Sequence, residues 1–225
     1  MVNYQYLSYF LDNKTPIYGG SSGIEIVKLN DISKGDTANT KRISFHNHSG
    51  THIDFPNHFF KKGKFSSDYA ADFWIFNNPY VIKISPNEDE IISLNKSLIE
   101  TIPKETDFLI LNTGFYKYRG DDKFWNNNPG ISPDLAKLLK LQCPNIRVLG
   151  MDTISLTSYQ NRILGRESHR KFLGEYDILL VEDMNLKDLI FQPVKLMCFP
   201  MLIKDVDGCP VTIISEYEKN KGNNI

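Results

Sequence analysis

The sequence contains few cysteines, and it lacks both a long hydrophobic run and an excess of one charge. Its 3 cysteines stand far apart in 225 residues and form no C-x-x-C pair, which argues against a disulfide framework. A formal net charge of -1 gives no reason to expect a nucleic-acid or anionic-membrane partner. No apolar run is long enough to span a bilayer and no export signal is evident, so we expect a cytoplasmic protein.

The length and the supply of apolar side chains are sufficient for one sizeable core. We therefore expect a single domain over residues 1–217, followed by a polar, frayed tail over residues 218–225. Within the N-terminal part, residues 24–29 and 41–45 are predicted to be strands, and the second of these leads directly into a segment rich in histidine.

Three short apolar runs in the second half of the chain predict buried strands, at residues 108–111, 148–151 and 178–181. Each run ends in polar residues, and these include Asp152 after the second run and Glu182 after the third. Active sites of open α/β sheets lie at the carboxyl ends of strands. Asp152 and Glu182 are therefore predicted to lie where chemistry takes place.

Two segments are predicted to be helical. In the first, Ser132 is the expected N-cap and Pro133 the first helical residue, followed by a stripe of leucines. The second covers residues 159–173, with His169 in its last turn and Gly174 as its C-cap. On spacing alone, the favoured interpretation of His169 is that it complements the helix dipole.

Histidine is concentrated in one segment, where His48, His52, Asp54 and His58 all occupy even positions. In an extended backbone alternate residues point to the same side, so these four side chains would face a common point. A helix is disfavoured here by the run Ser49-Gly50-Thr51 and by proline at position 56. Burying three imidazoles and a carboxylate together without a metal would be costly, so the segment predicts a metal site.

The ligand chemistry indicates a divalent ion, with zinc or manganese expected and one or two ions per subunit. His48, His52 and Asp54 would make a three-ligand site with an open position, which lowers the pKa of a bound water and polarises a carbonyl. His58, left beside the metal, would serve as general base and acid. This combination favours hydrolysis of an amide, a lactam or an ester.

A second ion would need ligands from elsewhere in the chain. Asp54 and Glu182 are the natural bridging carboxylates, with His169 as a terminal ligand. His46 also falls on the even positions, but the ligand set is complete without it, so we treat it as a spare.

The histidine segment resembles the H-x-G-T-H-x-D-x-P-x-H-F motif of the metal-dependent cyclase/amidohydrolase family, which includes bacterial kynurenine formamidase and isatin hydrolase. Every position of that motif is matched between His48 and Phe59. The resemblance extends over nearly the whole chain, through the segments 16–20, 111–115, 129–132, 150–155, 168–170, 180–186, 200–202 and 207–211.

The resemblance implies an α/β fold of the swivelling β/β/α type, a single domain with a mixed sheet, assembled as a homodimer or homotetramer. It also implies His48 and His52 on one metal, Asp54 and Glu182 as bridges, His169 on the second metal and His58 as the proton shuttle. This reverses the interpretation of His169 that spacing alone favours.

The activity implied is that of an arylformamidase, which hydrolyses N-formylkynurenine to kynurenine and formate. An isatin hydrolase-like cleavage of a lactam or lactone is the alternative. A non-catalytic metal-binding domain is the alternative from a different functional class.

Two positions depart from the family pattern. Tyr18 stands where the formamidases have a tryptophan of the substrate pocket, and we predict that Tyr18 contacts the small-molecule substrate. The segment between His169 and Glu182 is about one residue longer than the pattern and contains Glu175, which is therefore a rival distal ligand. We favour Glu182 because it ends a strand.

Overall fold

A mixed β-sheet forms the centre of the computed structural model, which describes residues 2–20 and 23–218. The strands are β1 (Val2–Tyr6), β2 (Ile24–Asn30), β3 (Thr40–Phe45), β4 (His52–Asp54), β5 (Ile75–Phe76), β6 (Pro79–Lys83), β7 (Ile91–Ile92), β8 (Phe108–Asn112), β9 (Gly130–Ile131), β10 (Val148–Met151), β11 (Leu179–Glu182), β12 (Lys195–Pro200) and β13 (Gly208–Glu218). The α-helices are α1 (Lys96–Ile99), α2 (Lys123–Asn126), α3 (Asp134–Gln142) and α4 (Arg162–Arg170).

The main sheet has the strand order β5-β12-β13-β4-β11-β10-β8-β6, with β1 paired to the distal part of β13. Strands β6, β8, β10 and β11 form a set that is parallel throughout, whereas β4 is antiparallel to both β11 and β13. Strands β2 and β3 pair separately as an antiparallel hairpin. The predicted α/β fold with a mixed sheet is confirmed, and all five predicted strands are present.

The central strands are the most buried part of the molecule. Every residue of β4, β8, β10 and β11 is buried, as expected for strands that are covered on both faces. Helix α3 adds Leu135, Ala136 and Leu139 to the same core. The residues that end β4 and β11 are therefore held by the most rigid part of the fold.

The first predicted helix is present as α3, but Ser132 is not its N-cap. Pro133 occupies the N-cap position without a side-chain cap bond, so the helix begins one residue later than predicted. The φ angle of a proline is fixed at a value that suits the first turn of a helix, and here Pro133 stands just before that turn.

The second predicted helix is a continuous helical segment of three geometries. A 3₁₀ turn at Tyr159–Asn161 leads into α4, which is followed by a π-helical turn at Lys171–Glu175. Gly174 lies inside the π turn, so its predicted role as C-cap is wrong. A Cβ at this position would collide with the ring of Phe60, which accounts for the glycine by close packing.

At the C-terminus, Glu218 is the last residue of β13 and pairs with Val2 of β1. The rest of the predicted tail, residues 219–225, lies outside the described residues. None of the helices in the described ranges has the length and apolar character that crossing a bilayer requires.

Candidate metal centre

The register of β4 against its two neighbours sets up the site. His52 lies opposite Glu182 of β11, and Asp54 lies opposite Gly208 of β13. Residues two apart on a strand share a face, and directly opposed residues on adjacent strands have neighbouring side chains. Three of the predicted ligands therefore meet at the carboxyl end of the parallel strand β11.

The histidine segment is not one extended strand, so that part of the prediction is wrong. Only His52–Asp54 is a strand; Gly50 before it has a left-handed backbone with φ +62°, and Pro56–His58 after it forms a 3₁₀ turn. The left-handed turn is accessible to glycine without steric cost, and proline suits the first position of the 3₁₀ turn. These two turns, rather than simple alternation, bring His48 and His58 to the same side as Asp54.

Asp54 and Glu182 each direct their two carboxylate oxygens towards two different histidines. His52 Nε2 lies 3.5 Å from Asp54 Oδ1 and 3.4 Å from Glu182 Oε2. His169 Nε2 lies 3.5 Å from Asp54 Oδ2 and 3.5 Å from Glu182 Oε1. Both carboxylates are thus placed between the two imidazoles, and all four side chains are buried.

These separations fit donors that share a metal ion. Two ligands at about 2.0–2.1 Å from a tetrahedral zinc lie about 3.3 Å apart, which is close to the four measured distances. The donor chemistry also fits, since imidazole and carboxylate without thiolate suit zinc or manganese. His52 and His169 would hold two ions bridged by Asp54 and Glu182.

His48 lies on the His52 side of the cluster, with its Nδ1 at 2.8 Å from Asp54 Oδ1. Its other nitrogen, Nε2, lies 3.0 Å from Asp207 Oδ2, and the same oxygen lies 2.8 Å from His58 Nδ1. Asn47 Nδ2 donates to the second oxygen of Asp207 at 2.7 Å. Donor atoms of His48, Asp54 and His58 lie within 4.8 Å of one another, so His58 is close enough to be a ligand as well as a shuttle.

Asp207 fixes the proton positions on two histidines. Hydrogen bonds from His48, and next from His58, hold the pKa of Asp207 below its usual range, so this side chain is an acceptor. His48 Nε2 and His58 Nδ1 must then be the donors. His48 Nδ1 is then the nitrogen directed at the cluster. His58 Nε2 makes no hydrogen bond within the described residues, which is the state that a proton shuttle requires.

The close approach of His48 depends on the absence of a side chain at Gly208. The imidazole of His48 lies directly over this glycine, and an added Cβ would collide with the ring. Since Gly208 also pairs with Asp54 across β4 and β13, the sheet leaves a gap for the histidine at the centre of the site.

The remaining ligands are held by hydrogen bonds from their outer atoms. His169 Nδ1 donates to the carbonyl of Gly165 at 2.8 Å, and His52 Nδ1 donates to the carbonyl of Gly50 at 2.9 Å. Each bond leaves Nε2 as the nitrogen that faces the carboxylates. The backbone N–H of Leu156 donates to Glu182 Oε1 at 2.6 Å. Such outer bonds fix the orientation of metal ligands.

The electrostatics of the cluster follow from burial and close opposite charge. Burial alone would lower the pKa of His48, but Asp54 and Asp207 outweigh it and raise that pKa to about 10. Burial would also lower the pKa of His169, but Asp54 and Glu182 outweigh it and raise that pKa to about 10. Burial and Asp54 would raise the pKa of Glu182, but His169 and His52 lower it to about 2. A metal must therefore displace protons from these histidines, so acid weakens its binding.

A cavity of about 320 Å³ opens onto the cluster. Tyr18 and His46 line it together with the presumed ligands, so both lie within reach of a bound molecule. The hydroxyl of Tyr18 is buried and makes no hydrogen bond within the described part of the chain. Phe59 stacks on His169 with ring centroids 4.7 Å apart and forms an apolar wall.

Two carboxylates singled out in the sequence lie elsewhere. Asp152 is buried, but it accepts hydrogen bonds from the backbone and hydroxyl of Thr113 and from the backbone of Tyr116, so its predicted role in chemistry is wrong. It secures the turn after β8. Glu175 pairs with Lys171 at 2.5 Å on the surface, whereas Glu182 lies inside the cluster.

Three residues at the site escaped the sequence reasoning: Asp207, Arg162 and Arg166. Asp207 belongs to a segment that the family resemblance covers, but nothing in its spacing connects it with histidines about 150 residues earlier. Arg162 and Arg166 both line the cavity. Their separation of four residues was the available signal, because it places them on one face of a helix that also carries His169.

The chain matches the family model described as "Putative cyclase" over residues 6–158. It is 29% identical over 209 residues to "Cyclase-like protein 3" of Arabidopsis thaliana, covering 88% of this chain and 74% of that protein. It is 27% identical over 180 residues to a kynurenine formamidase of Bacillus cereus, covering 79% of this chain and 80% of that one. Isatin hydrolase A of Labrenzia aggregata has the same fold, with a TM-score of 0.80 at 21% identity over 96% of this chain and 93% of that structure.

Proposed function

This chain belongs to the cyclase family, and we propose that it is a metal-dependent hydrolase that cleaves the C–N bond of a small aryl-formamide or cyclic amide. The arylformamidase-like reaction, N-formylkynurenine to kynurenine and formate, is the specific activity proposed. His48, His52, Asp54, His169 and Glu182 are the proposed ligands.

One observation carries the proposal: two buried carboxylates each face two imidazoles at distances that fit shared metal ions, at the base of a cavity. When bound, a divalent ion supplies Lewis-acid polarisation of a carbonyl and lowers the pKa of water. A purely structural cluster would have no need of an open cavity beside it. Both effects promote amide hydrolysis, because the amide carbonyl is a poor electrophile and neutral water is a poor nucleophile.

His58 supplies the proton transfers. Its Nδ1–H is held by Asp207, and its Nε2 accepts a proton from the attacking water. The same nitrogen then donates a proton to the departing amine, so the histidine returns to its starting state. Phe59 and Tyr18 border the space where an aryl group would lie.

The formamidase reaction is supported by the similarity to the kynurenine formamidase of Bacillus cereus over four fifths of both chains. The alternative, lactam or lactone hydrolysis, is supported by the shared fold with isatin hydrolase A. Tyr18 is relevant to the choice between formamide hydrolysis and lactam or lactone hydrolysis, because its buried hydroxyl adds a hydrogen-bond donor to the cavity.

The direct test is a substrate panel with purified protein loaded with zinc or with manganese. We expect formate release from N-formylkynurenine and from formanilide, an uncharged aryl formamide. Turnover of isatin or a lactone but of neither formamide would replace the formamidase assignment with the alternative. Stoichiometric metal without hydrolysis of any amide, lactam or lactone would indicate a non-catalytic metal-binding domain.

A further inference from the structure

Two arginines line the wall of the cavity beside the carboxylate cluster. Arg162 and Arg166 lie four residues apart, so they share one face of helix α4, and both line the same cavity as Tyr18 and Glu182. Both side chains are exposed towards solvent. An exposed guanidinium at the edge of a cavity is available to a bound molecule.

No carboxylate of the described residues neutralises either guanidinium, since Arg162 and Arg166 form no ion pair there. The guanidinium of Arg162 lies over the ring of Tyr159, 5.7 Å from its centroid. By contrast, Arg119 is paired with Asp183 and Arg147 with Asp107.

The placement of these arginines is also unfavourable for the helix. Arg162 lies near the start of the helical segment that begins at Tyr159, where the helix dipole opposes a positive charge. Like charges four residues apart on a helix repel each other, so Arg166 adds to the cost. An anion bound between them would remove both penalties.

The carboxylates of the metal centre are not that anion. Asp54 and Glu182 are buried between His52 and His169, and Glu182 also accepts from the backbone of Leu156. Their lone pairs are occupied by those groups. A molecule that occupies the cavity could supply an anion to these arginines.

The hydroxyl of Tyr18 is a third donor at the same place. It is buried without a partner in the described residues, which is costly for a hydroxyl unless a ligand satisfies it. Burial raises the pKa of Tyr18 to about 12, with Arg162 acting in the opposite direction, so the hydroxyl remains a donor at neutral pH.

We propose that Arg162, Arg166 and Tyr18 form a subsite for a carboxylate that the substrate carries in addition to its scissile carbonyl. The inference rests on the proposed hydrolase function and deepens it. The planar fork of an arginine binds a carboxylate through two parallel hydrogen bonds, and the tyrosine adds a third. The substrate class is therefore an aryl-formamide or cyclic amide that carries a carboxylate, and a molecule without a carboxylate, such as isatin, leaves this subsite unfilled.

The test compares N-formylkynurenine with its methyl ester, in which a methyl group replaces the negative charge of the carboxylate. In the double variant Arg162→Gln/Arg166→Gln, KM for the acid should rise about 10- to 100-fold, the loss typical of hydrogen bonds to charged groups. The kinetics of the ester should stay unchanged. Arg42→Gln, at an exposed position of β3 outside the cavity, controls for the loss of a positive charge. Arg166→Lys keeps the charge, so it should bind the acid better than the double variant does.

Binding is measured separately from turnover by calorimetry with 3-benzoylpropionate, a carboxylate that carries an aryl ketone and has no amide bond. We expect 3-benzoylpropionate to bind the zinc-loaded wild-type protein, and its methyl ester not to bind. Affinity for 3-benzoylpropionate should be lost in the double variant and reduced to a smaller extent in Tyr18→Phe. Thermal melting of each variant shows whether it is folded.

Formanilide separates the two claims. If the protein hydrolyses formanilide but the double variant weakens acid and ester equally, or the wild type does not bind 3-benzoylpropionate, the carboxylate subsite is wrong and the hydrolase stands. If formanilide is not hydrolysed while the arginines still govern binding of 3-benzoylpropionate, the subsite stands and the proposed reaction is wrong.

Discussion

Asp207 connects a proposed metal ligand with the proposed proton shuttle. A single oxygen, Oδ2, accepts from His48 Nε2 at 3.0 Å and from His58 Nδ1 at 2.8 Å. Both rings therefore depend on one side chain for their orientation, and Asn47 holds that side chain from the other oxygen. A carboxylate behind a ligating histidine also raises the basicity of the ligand.

Asp207→Asn is expected to lower kcat or metal affinity by about 10- to 100-fold. The amide has one acceptor oxygen and no negative charge, so it cannot hold both imidazoles as the carboxylate does. Steady-state kinetics and metal analysis would measure the effect, with Asp188→Asn at an exposed position as the control. Wild-type kinetics in Asp207→Asn would show that the two hydrogen bonds have no role in the reaction.

His58→Ala is expected to keep the metal and to lose about 10²- to 10⁴-fold in turnover, the usual contribution of general acid–base catalysis. The reason is that His58 Nδ1 is hydrogen-bonded to Asp207, while His58 lines the cavity and its Nε2 makes no hydrogen bond within the described residues. Elemental analysis and kcat together decide the role. Because the donor atoms of His48, Asp54 and His58 are close enough to share an ion, loss of metal in this variant would make His58 a ligand.

Individual residues show what the sequence could predict. The types and spacing from His48 to His58 were enough to predict a metal site, because few other arrangements tolerate such a cluster. Asp207 could not be found in this way, because it reaches the histidines through the pairing of β4 with β13. Long-range strand register is not written in local spacing.

Strand β4 is the element that organises the centre. It lies between β11 and β13, and its register places His52 beside Glu182 and Asp54 beside Gly208. Helix α4 supplies His169 from the other side, so one short strand and one helix contribute most of the donors. The candidate metal centre thus joins segments that are more than 100 residues apart in the chain.

The choice between Glu182 and Glu175 is testable with a matched pair of variants. Glu182→Gln should lose bound metal and activity, because the amide cannot bridge two cations as a carboxylate does. Glu175→Gln should keep both, since Glu175 only pairs with Lys171 on the surface. Metal content after dialysis is the measurement. A Glu182→Gln protein that retains its full metal content would show that Glu182 is not a ligand.

Sequence patterns predicted these elements better than their geometry. The apolar runs marked β8, β10 and β11 correctly, because buried strands leave a strong compositional signal. The path from His48 to His58 was predicted as one extended strand, but Gly50 and Pro56 divide it into turn, strand and 3₁₀ turn. Their backbone preferences were visible in the sequence, although the direction in which each turn bends the chain depends on the packing around it.

In the whole molecule, the candidate metal centre lies where the parallel and antiparallel halves of the sheet meet. Strand β4 is the first antiparallel strand after the parallel set β6, β8, β10 and β11. Bound metal would therefore cross-link the two halves of the sheet with helix α4. Any ligand that binds only the folded state stabilises it.

Removal of metal by a chelator is expected to lower the Tm by about 5–10 °C, which corresponds to a ligand present at about 100 times its Kd for a chain of this size. Differential scanning calorimetry with and without zinc would measure the shift. The Glu182→Gln variant should show a smaller shift. Identical melting curves for wild-type protein with and without metal would argue against a site that links the halves of the sheet.

The central claim is that this cavity hydrolyses amides only when its histidine and carboxylate cluster holds metal. The most direct measurement is formate release from an aryl formamide by chelator-stripped protein to which zinc or manganese is returned stepwise. We predict no turnover in the stripped protein and a rise that saturates at one or two metal equivalents per subunit. Formamide hydrolysis that continues at full rate after all divalent metal has been removed would contradict the account.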